Sequence, residues 1–213
     1  MLKFAIASEG ETDQAVIKNI LNGFYKDNDL SGEIKAFQPL YDATRNKELE
    51  KEFGGWEILL KYLGEKRFRE NVINSEYMIV QLDTDISEHT NFGVSQHDVS
   101  TQELIEKVIE RLIFQIDSKK SFYNQHKEKI IFAISVHSLE CWILPLYKKD
   151  LKTEKVTGCY ESLQRESKKI KVSKNYNVYN KLSTPLSKNK KLMKIVSKNI
   201  SFRVFIDGLP SEI

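Results

Sequence analysis

The stretch "EYMIVQLDTDIS", residues 76–87, decides how the chain is read. Met78, Ile79, Val80 and Leu82 form an apolar run that does not alternate with charged residues. A strand with one wet face alternates, so this run predicts a strand buried on both faces over 76–83. Strands of that kind belong to parallel sheets with helices on either side. The run ends on Asp83 and Asp85, two like charges one residue apart. Residues i and i+2 of an extended chain point the same way. The two carboxylates are therefore expected to be neighbours, in a solvated turn or around a cation.

Working outward, "LKFAIAS" (2–8) predicts a first strand that ends at Glu9-Gly10. Residues 12–27 predict a helix through Ala15, Val16, Ile20 and Phe24, with Thr12 as its N-cap. "GEIKAFQP" (32–39) predicts a second strand stopped by Pro39. A long polar connection, 40–55, ends at Gly54-Gly55, and 56–72 predicts one helix. Residues 101–116 carry the clearest helical stripe: Leu104, Ile105, Val108, Ile109, Leu112 and Ile116. "EKIIFAISV" (128–136) predicts a fourth strand, and "SLECWILPLYKKD" (138–150) opens a helix at Ser138 that Pro145 kinks or ends. Strands joined by helical crossovers predict an α/β fold with a mostly parallel central sheet of four strands, over residues 1–150. Residues 151–213 read as a basic, mostly helical appendage packed on that domain or extending it. Within it, 188–209 predict a basic amphipathic helix followed by a short extended segment.

Ligands of parallel α/β sheets gather outside the carboxyl ends of the strands. That rule brings "SEGETD" (8–13), "DTD" (83–85) and "HSLE" (137–140) to one rim, although they are far apart in sequence. Glu9, Asp83, Asp85 and Glu140 become the candidate catalytic residues, with Glu9, Asp83 and Asp85 the candidate metal ligands. Glu11, Asp13 and His137 are secondary. For Glu11 and Asp13 the simpler reading is a favourable charge at a helix N-terminus, and for His137 a hydrogen-bonded structural histidine. Mg²⁺ needs only one or two carboxylates together with water and substrate phosphate, which suits a D-x-D beside a third carboxylate.

Composition narrows the partners. The 213 residues carry 33 basic and 30 acidic side chains, a net charge of +3. Residues 148–198 hold fifteen of the Lys and Arg against four acids, about +11, which leaves about −8 for the rest. An acidic body with a basic segment suits a polyanion, whose counterions such a segment releases. Lys168, Lys169, Lys171, Lys174, Lys190 and Lys191 are the candidate nucleic-acid contacts, and Tyr160, Tyr176 and Tyr179 could stack bases. The motifs of P-loop ATPases, dinucleotide-binding domains and α/β-hydrolases are absent. No apolar run approaches the roughly 20 residues that span a bilayer. Cys141 and Cys159 read as two lone thiols, which predicts a reducing cytoplasm.

"SEGETD" and "QLDTDIS" together resemble the Toprim (topoisomerase–primase) family, a small α/β domain with a glutamate after its first strand and a D-x-D after a later one. "HSLECWILP" is similar to the H/P-x-x-E-x-W-x-L signature of small bacterial Toprim-like proteins, relatives of overcoming-lysogeny-defect nucleases and anti-phage effectors. The resemblance covers residues 1–150. It implies a Mg²⁺- or Mn²⁺-dependent nuclease acting on RNA or DNA, with Glu9 a ligand or general acid/base, Asp83 and Asp85 metal ligands, and Glu140 completing a second position. It also implies an ATPase partner of the overcoming-lysogeny-defect kind, with a homo-oligomer as a further expectation. Many members carry a glycine soon after the D-x-D, where this chain has Ile86-Ser87. Two other readings share the motifs. One is a nucleotide-sugar glycosyltransferase, in which a D-x-D metal bridges a diphosphate. The other is a non-catalytic subunit that binds nucleic acid or an ATPase.

Overall fold

The apolar run at 76–83 is an inner strand of a four-stranded parallel sheet in the computed structural model of the chain, which describes residues 2–38, 55–148, 154 and 156–213. The strands are β1 (Leu2–Ala7), β2 (Ile34–Gln38), β3 (Ser75–Asp83) and β4 (Ile130–Ser135), in the spatial order β2-β1-β3-β4. All three ladders are parallel, with Ile79 of β3 level with Ile6 of β1 and Ile131 of β4. Most of the polar connection expected at 40–55, and Pro39, lie outside the described residues.

Alternation along the strands feeds two cores. Phe4, Ile6, Ile79 and Ile131 face one way, and Ala5, Ala7, Met78, Val80 and Leu82 the other. This is why β3 needs apolar residues at consecutive positions. The second face is covered by α2 (Gly55–Gly64), α3 (Lys66–Asn74) and α4 (Thr101–Ile116), through Trp56, Leu59, Phe68, Val72, Leu104 and Leu112. The helix expected at 56–72 is thus two. Gly64, a poor helix former, closes α2, and Glu65 takes extended backbone before α3. A short helix, α5 (Ser121–His126), precedes β4.

The first face is covered by α1 (Glu11–Tyr25) and by the chain after β4. That part comprises α6 (Glu140–Ile143), α7 (Cys159–Glu166), α8 (Tyr176–Ser183), α9 (Asn189–Val196) and α10 (Ile200–Asp207). Leu163, Tyr179, Leu182, Leu192 and Phe202 join Ile6, Ile17 and Ile79 in one apolar cluster. α6 ends in a 3₁₀ turn, Leu144–Leu146, at Pro145 as expected. Ser138 supplies no side-chain cap there, because the helix begins after Leu139.

Two expectations for this region are corrected. The extended segment near the C-terminus is the helix α10, with Asn199 accepting from the Phe202 N–H at 2.8 Å. It buries Phe202, Phe205 and Ile206 on one face. Trp142 stacks on Phe202 and Phe205, with ring centroids 4.9 and 5.6 Å away, and donates to Ser201 Oγ at 2.8 Å. The two cysteines are not lone thiols: Cys141 and Cys159 form a buried disulfide between α6 and α7. The inference of a reducing compartment from free thiols therefore falls. Among the described residues no helix is long and apolar enough to cross a membrane.

The disulfide closes a loop with a sequence separation of 18, which in the chain-entropy account stabilises the fold by about 3 kcal/mol. Reduction, or Cys141→Ser with Cys159→Ser, is expected to lower the melting temperature by about 6–12 °C. A calorimetric scan with and without reductant checks this; an unchanged transition would mean the link adds nothing to the fold.

Candidate functional site

The strand ends at the carboxyl rim differ in length, and this difference builds the site. β1 pairs with β3 only as far as Ala7 and Val80, whereas β3 runs on to Asp83. The Asp83 N–H therefore has no strand partner on the β1 side. Glu9 supplies one: its carboxylate accepts from that N–H at 2.6 Å. The backbone of Glu9 is in turn overlaid by Gly55, where an added Cβ would fall 2.6 Å from the Glu9 carbonyl oxygen. Only glycine lets α2 begin so close to the rim.

Asp83 is held on every side. Ser135 Oγ donates to its Oδ1 across the β3–β4 ladder, Gln81 Nε2 donates to the same oxygen at 2.8 Å, and the Leu139 N–H donates to Oδ2 at 3.2 Å. Asp85 is placed otherwise than expected. The strand stops at Asp83, and Thr84–Ile86 forms a 3₁₀ turn, so the alternation of an extended chain does not reach Asp85. Its side chain is exposed. The turn is tied to the β4 exit, with Asp85 N–H donating to the His137 carbonyl at 3.0 Å and His137 N–H donating to Thr84 Oγ1 at 2.7 Å.

His137 adopts a left-handed backbone, φ 65°, a conformation that costs a non-glycine residue free energy and clusters at functional sites. Its Nδ1 is buried without a hydrogen-bond partner, and so is Oε1 of the fully buried Gln81. Three such orphaned side-chain atoms occur among the described residues, and two of them lie at this rim. Each buried polar atom left unpaired costs about 1–3 kcal/mol, so the rim is a place where the fold gives up stability.

Two more acids complete the group. Glu140, at the start of α6, is buried and accepts from the hydroxyl of Tyr179 on α8. Asp13 is buried in the first turn of α1 and accepts from the Gly10 N–H at 2.8 Å. The helix therefore starts after Gly10, not at Thr12. Asp13 is the helix-end charge that its simpler reading expects. The same carboxylate lies in the electrostatic field of Glu9, Asp83 and Glu140. Glu11 is exposed, accepts from the Tyr176 N–H at 3.2 Å, and joins α1 to α8.

Burial and the repulsion of neighbouring acids raise Glu9, Asp13, Asp83 and Asp85. Burial, then the charge of Asp13, raises Glu9 well above the usual carboxylate range. Burial raises Asp13 to about 7, with Glu140 adding to it against the Gly10 N–H. Asp83 is raised well above its ordinary value by burial, then by Glu9, Asp13 and Glu140. Asp85, exposed at the surface but partly desolvated by its neighbours, is raised, while His137 and Lys174 oppose the rise. The donor set is hard oxygen throughout, the chemistry of Mg²⁺ or Mn²⁺. Among the described residues no three His, Cys, Asp or Glu side chains are arranged to hold a metal ion by themselves.

The candidate nucleic-acid lysines separate into two places. Lys168, Lys169, Lys171 and Lys174 are exposed on the connection between α7 and α8. α8 runs alongside α1 in the same direction, with the Tyr176 N–H at Glu11 and Asn180 at Asn19. The connection therefore meets the rim. Lys190 and Lys191 lie on α9, whose Asn189 donates to the Gly23 carbonyl near the far end of α1. The rise from Glu11 to Gly23 is about 18 Å at 1.5 Å per residue. Tyr179 is buried, so its ring is not open to a base.

A carboxyl group raised by folding stabilises the protein in its protonated form. That stability is complete below the unfolded value and is lost as pH rises through the folded one. For Asp13 the window runs from its ordinary value of 3.8 to about 7. The melting temperature is expected to fall from about pH 4 to about pH 7, and Asp13→Asn to remove part of that fall. Thermal melts of both proteins across the window check this; identical slopes would place Asp13 outside the coupled group.

No family model, no curated protein and no solved structure matches the chain.

Proposed function

We propose that the chain is a metal-dependent nuclease, hydrolysing phosphodiester bonds of RNA or DNA at the carboxyl rim of its sheet. One observation carries this reading. Carboxylates after β1, in the first turn of α1, at the end of β3 and at the start of α6 gather at one strand-end rim, and burial together with the neighbouring acids raises Glu9, Asp13 and Asp83. Such a cluster lacks the positive charge that would let all its members ionise, and a divalent cation supplies it.

The fit is by donor chemistry and by incompleteness. Mg²⁺ or Mn²⁺ binds through one or two carboxylates and takes its other ligands from water and substrate phosphate. Glu9 and the exposed Asp85 would hold it, with Asp83 fixed beside them by Ser135, Gln81 and the Leu139 N–H. Bound there, a divalent cation supplies Lewis acidity and a water acidic enough to act as nucleophile near neutral pH. The chain's own part is to orient and to exclude solvent. Asp83 anchors the rim to both neighbouring strand ends, and Tyr179 fixes the Glu140 carboxyl. The orphaned Gln81 Oε1 is an acceptor that a ligand or its water would satisfy.

The test is cleavage of labelled RNA and DNA in Mn²⁺, in Mg²⁺ and in chelator. Activity is expected only with metal, and Glu9→Gln or the pair Asp83→Ala and Asp85→Ala should reduce it by at least about a hundredfold. Full activity in the double variant would place the chemistry elsewhere. A chain inert towards both polymers with either metal would remove the nuclease reading.

A further inference from the structure

We propose that the connection between α7 and α8, residues 167–175, is the surface that holds the backbone of a single-stranded nucleic acid on its way to the carboxylate rim, and that the lysines of α9 take no part. This rests on the nuclease reading for what happens at the rim, and names the substrate form and its path.

Four of the nine residues in this connection are lysines, Lys168, Lys169, Lys171 and Lys174, and all four are exposed. None of them is in an ion pair among the described residues. Their charge is thus available to a polyanion, and each phosphate neutralised releases counterions.

The backbone beneath them is set by its own hydrogen bonds. Ser167 Oγ donates to the Ile170 carbonyl at 2.7 Å, and the Ser167 N–H donates to the Leu163 carbonyl at 2.9 Å. Val172 is buried in the apolar cluster between Lys171 and Ser173. Asn175 closes the segment by accepting from the Val178 N–H at 3.0 Å, which starts α8. The lysines therefore project from a fixed strap rather than from a tail.

Aromatic rings accompany the cations. The ammonium of Lys174 lies 5.7 Å from the centroid of the Tyr160 ring, and Lys18 of α1 lies 5.8 Å from that of Tyr176. Both rings are half-buried. Cations interleaved with rings on one groove are how proteins hold single strands without reading sequence. Asp13 and Glu140 are recessed, at 7% and 5% exposure, and Glu9 and Asp83 are only partly exposed, so a narrow strand reaches these acids more readily than a duplex. Lys174 reaches furthest inward, within the electrostatic field of Glu9, Asp13 and Asp85. Lys190 and Lys191 lie towards the other end of α1, and neither is over an aromatic ring among the described residues.

The test is equilibrium binding in chelator, where no turnover occurs. Fluorescence anisotropy of labelled oligothymidylate, oligouridylate and a duplex of equal length is measured against the full chain. One variant carries Lys168→Ala, Lys169→Ala, Lys171→Ala and Lys174→Ala; the other carries Lys190→Ala and Lys191→Ala. The quadruple variant is expected to bind single strands at least about tenfold more weakly, with the salt slope smaller by about 3, the figure for four phosphate contacts on a single strand. The double variant should stay within about twofold of the parent. Equal loss in the two variants, tighter binding of duplex than of single strand, or no binding by the parent would each overturn the proposal. Binding lost in the quadruple variant with no cleavage under any metal would sink the nuclease reading and leave this surface standing. Metal-dependent cleavage that survives in the quadruple variant with unchanged affinity would do the reverse.

Discussion

The structure depends on one mismatch in strand length. β3 extends beyond its partner β1, so the backbone of Asp83 must find a hydrogen-bond acceptor that β1 does not provide. An unpaired buried N–H is costly, and the side chain of Glu9 removes that cost. With Glu9 folded onto β3, Asp83 turns to Ser135 on the other side. The two strand exits flanking β3 are thereby joined through a pair of carboxylates. The rim is therefore a polar continuation of the sheet, made of side chains where the ladders run out.

Joining the exits with acids has an electrostatic cost that the rest of the fold contains without removing. Peptide N–H groups of Gly10, Asp83 and Leu139 and the hydroxyls of Ser135 and Tyr179 all donate inward. These donors lessen the desolvation of the carboxylates, yet burial still prevails and the acids stay raised. Donors of fixed geometry with residual negative charge make a site that is preorganised and still demanding. A structural ion-pair network differs from this rim in that its charges are already matched.

Much of this was legible in the chain. A non-alternating apolar run can be buried only between two layers, so "YMIVQL" announced a parallel sheet, and the strand-end rule brought Glu9, Asp83 and Glu140 to one rim. What failed was local. Asp85 was read on strand alternation, but the backbone turned one residue earlier. Asp13 had a sufficient local explanation at a helix start, and nothing in the sequence says that the helix carries it under Glu140. "SFRVFI" looks extended because it is rich in aromatic and β-branched residues. The helical signal was nonetheless present in Asn199 as a cap and in Phe202, Phe205, Ile206 and Leu209 at helical spacing. The cysteine spacing held no signal, since the bond exists only because α6 and α7 pack together. The basic segment looked continuous because a charge count along the chain carries no record of α1's length.

The last helix has a consequence for behaviour in a crowded solution. β4 is an edge of the sheet, and an open edge of apolar sequence such as Ile130–Ser135 invites strands from other molecules. α10 packs against β4, and Ser201 accepts the Val136 N–H just past its end at 3.2 Å. Ser201 also receives the Trp142 indole N–H, so a single hydroxyl both seats the helix and quiets the end of that edge. The C-terminal residues thus act as a guard against self-association: a chain cut short before Ile200 would expose a strand ready to recruit copies of itself.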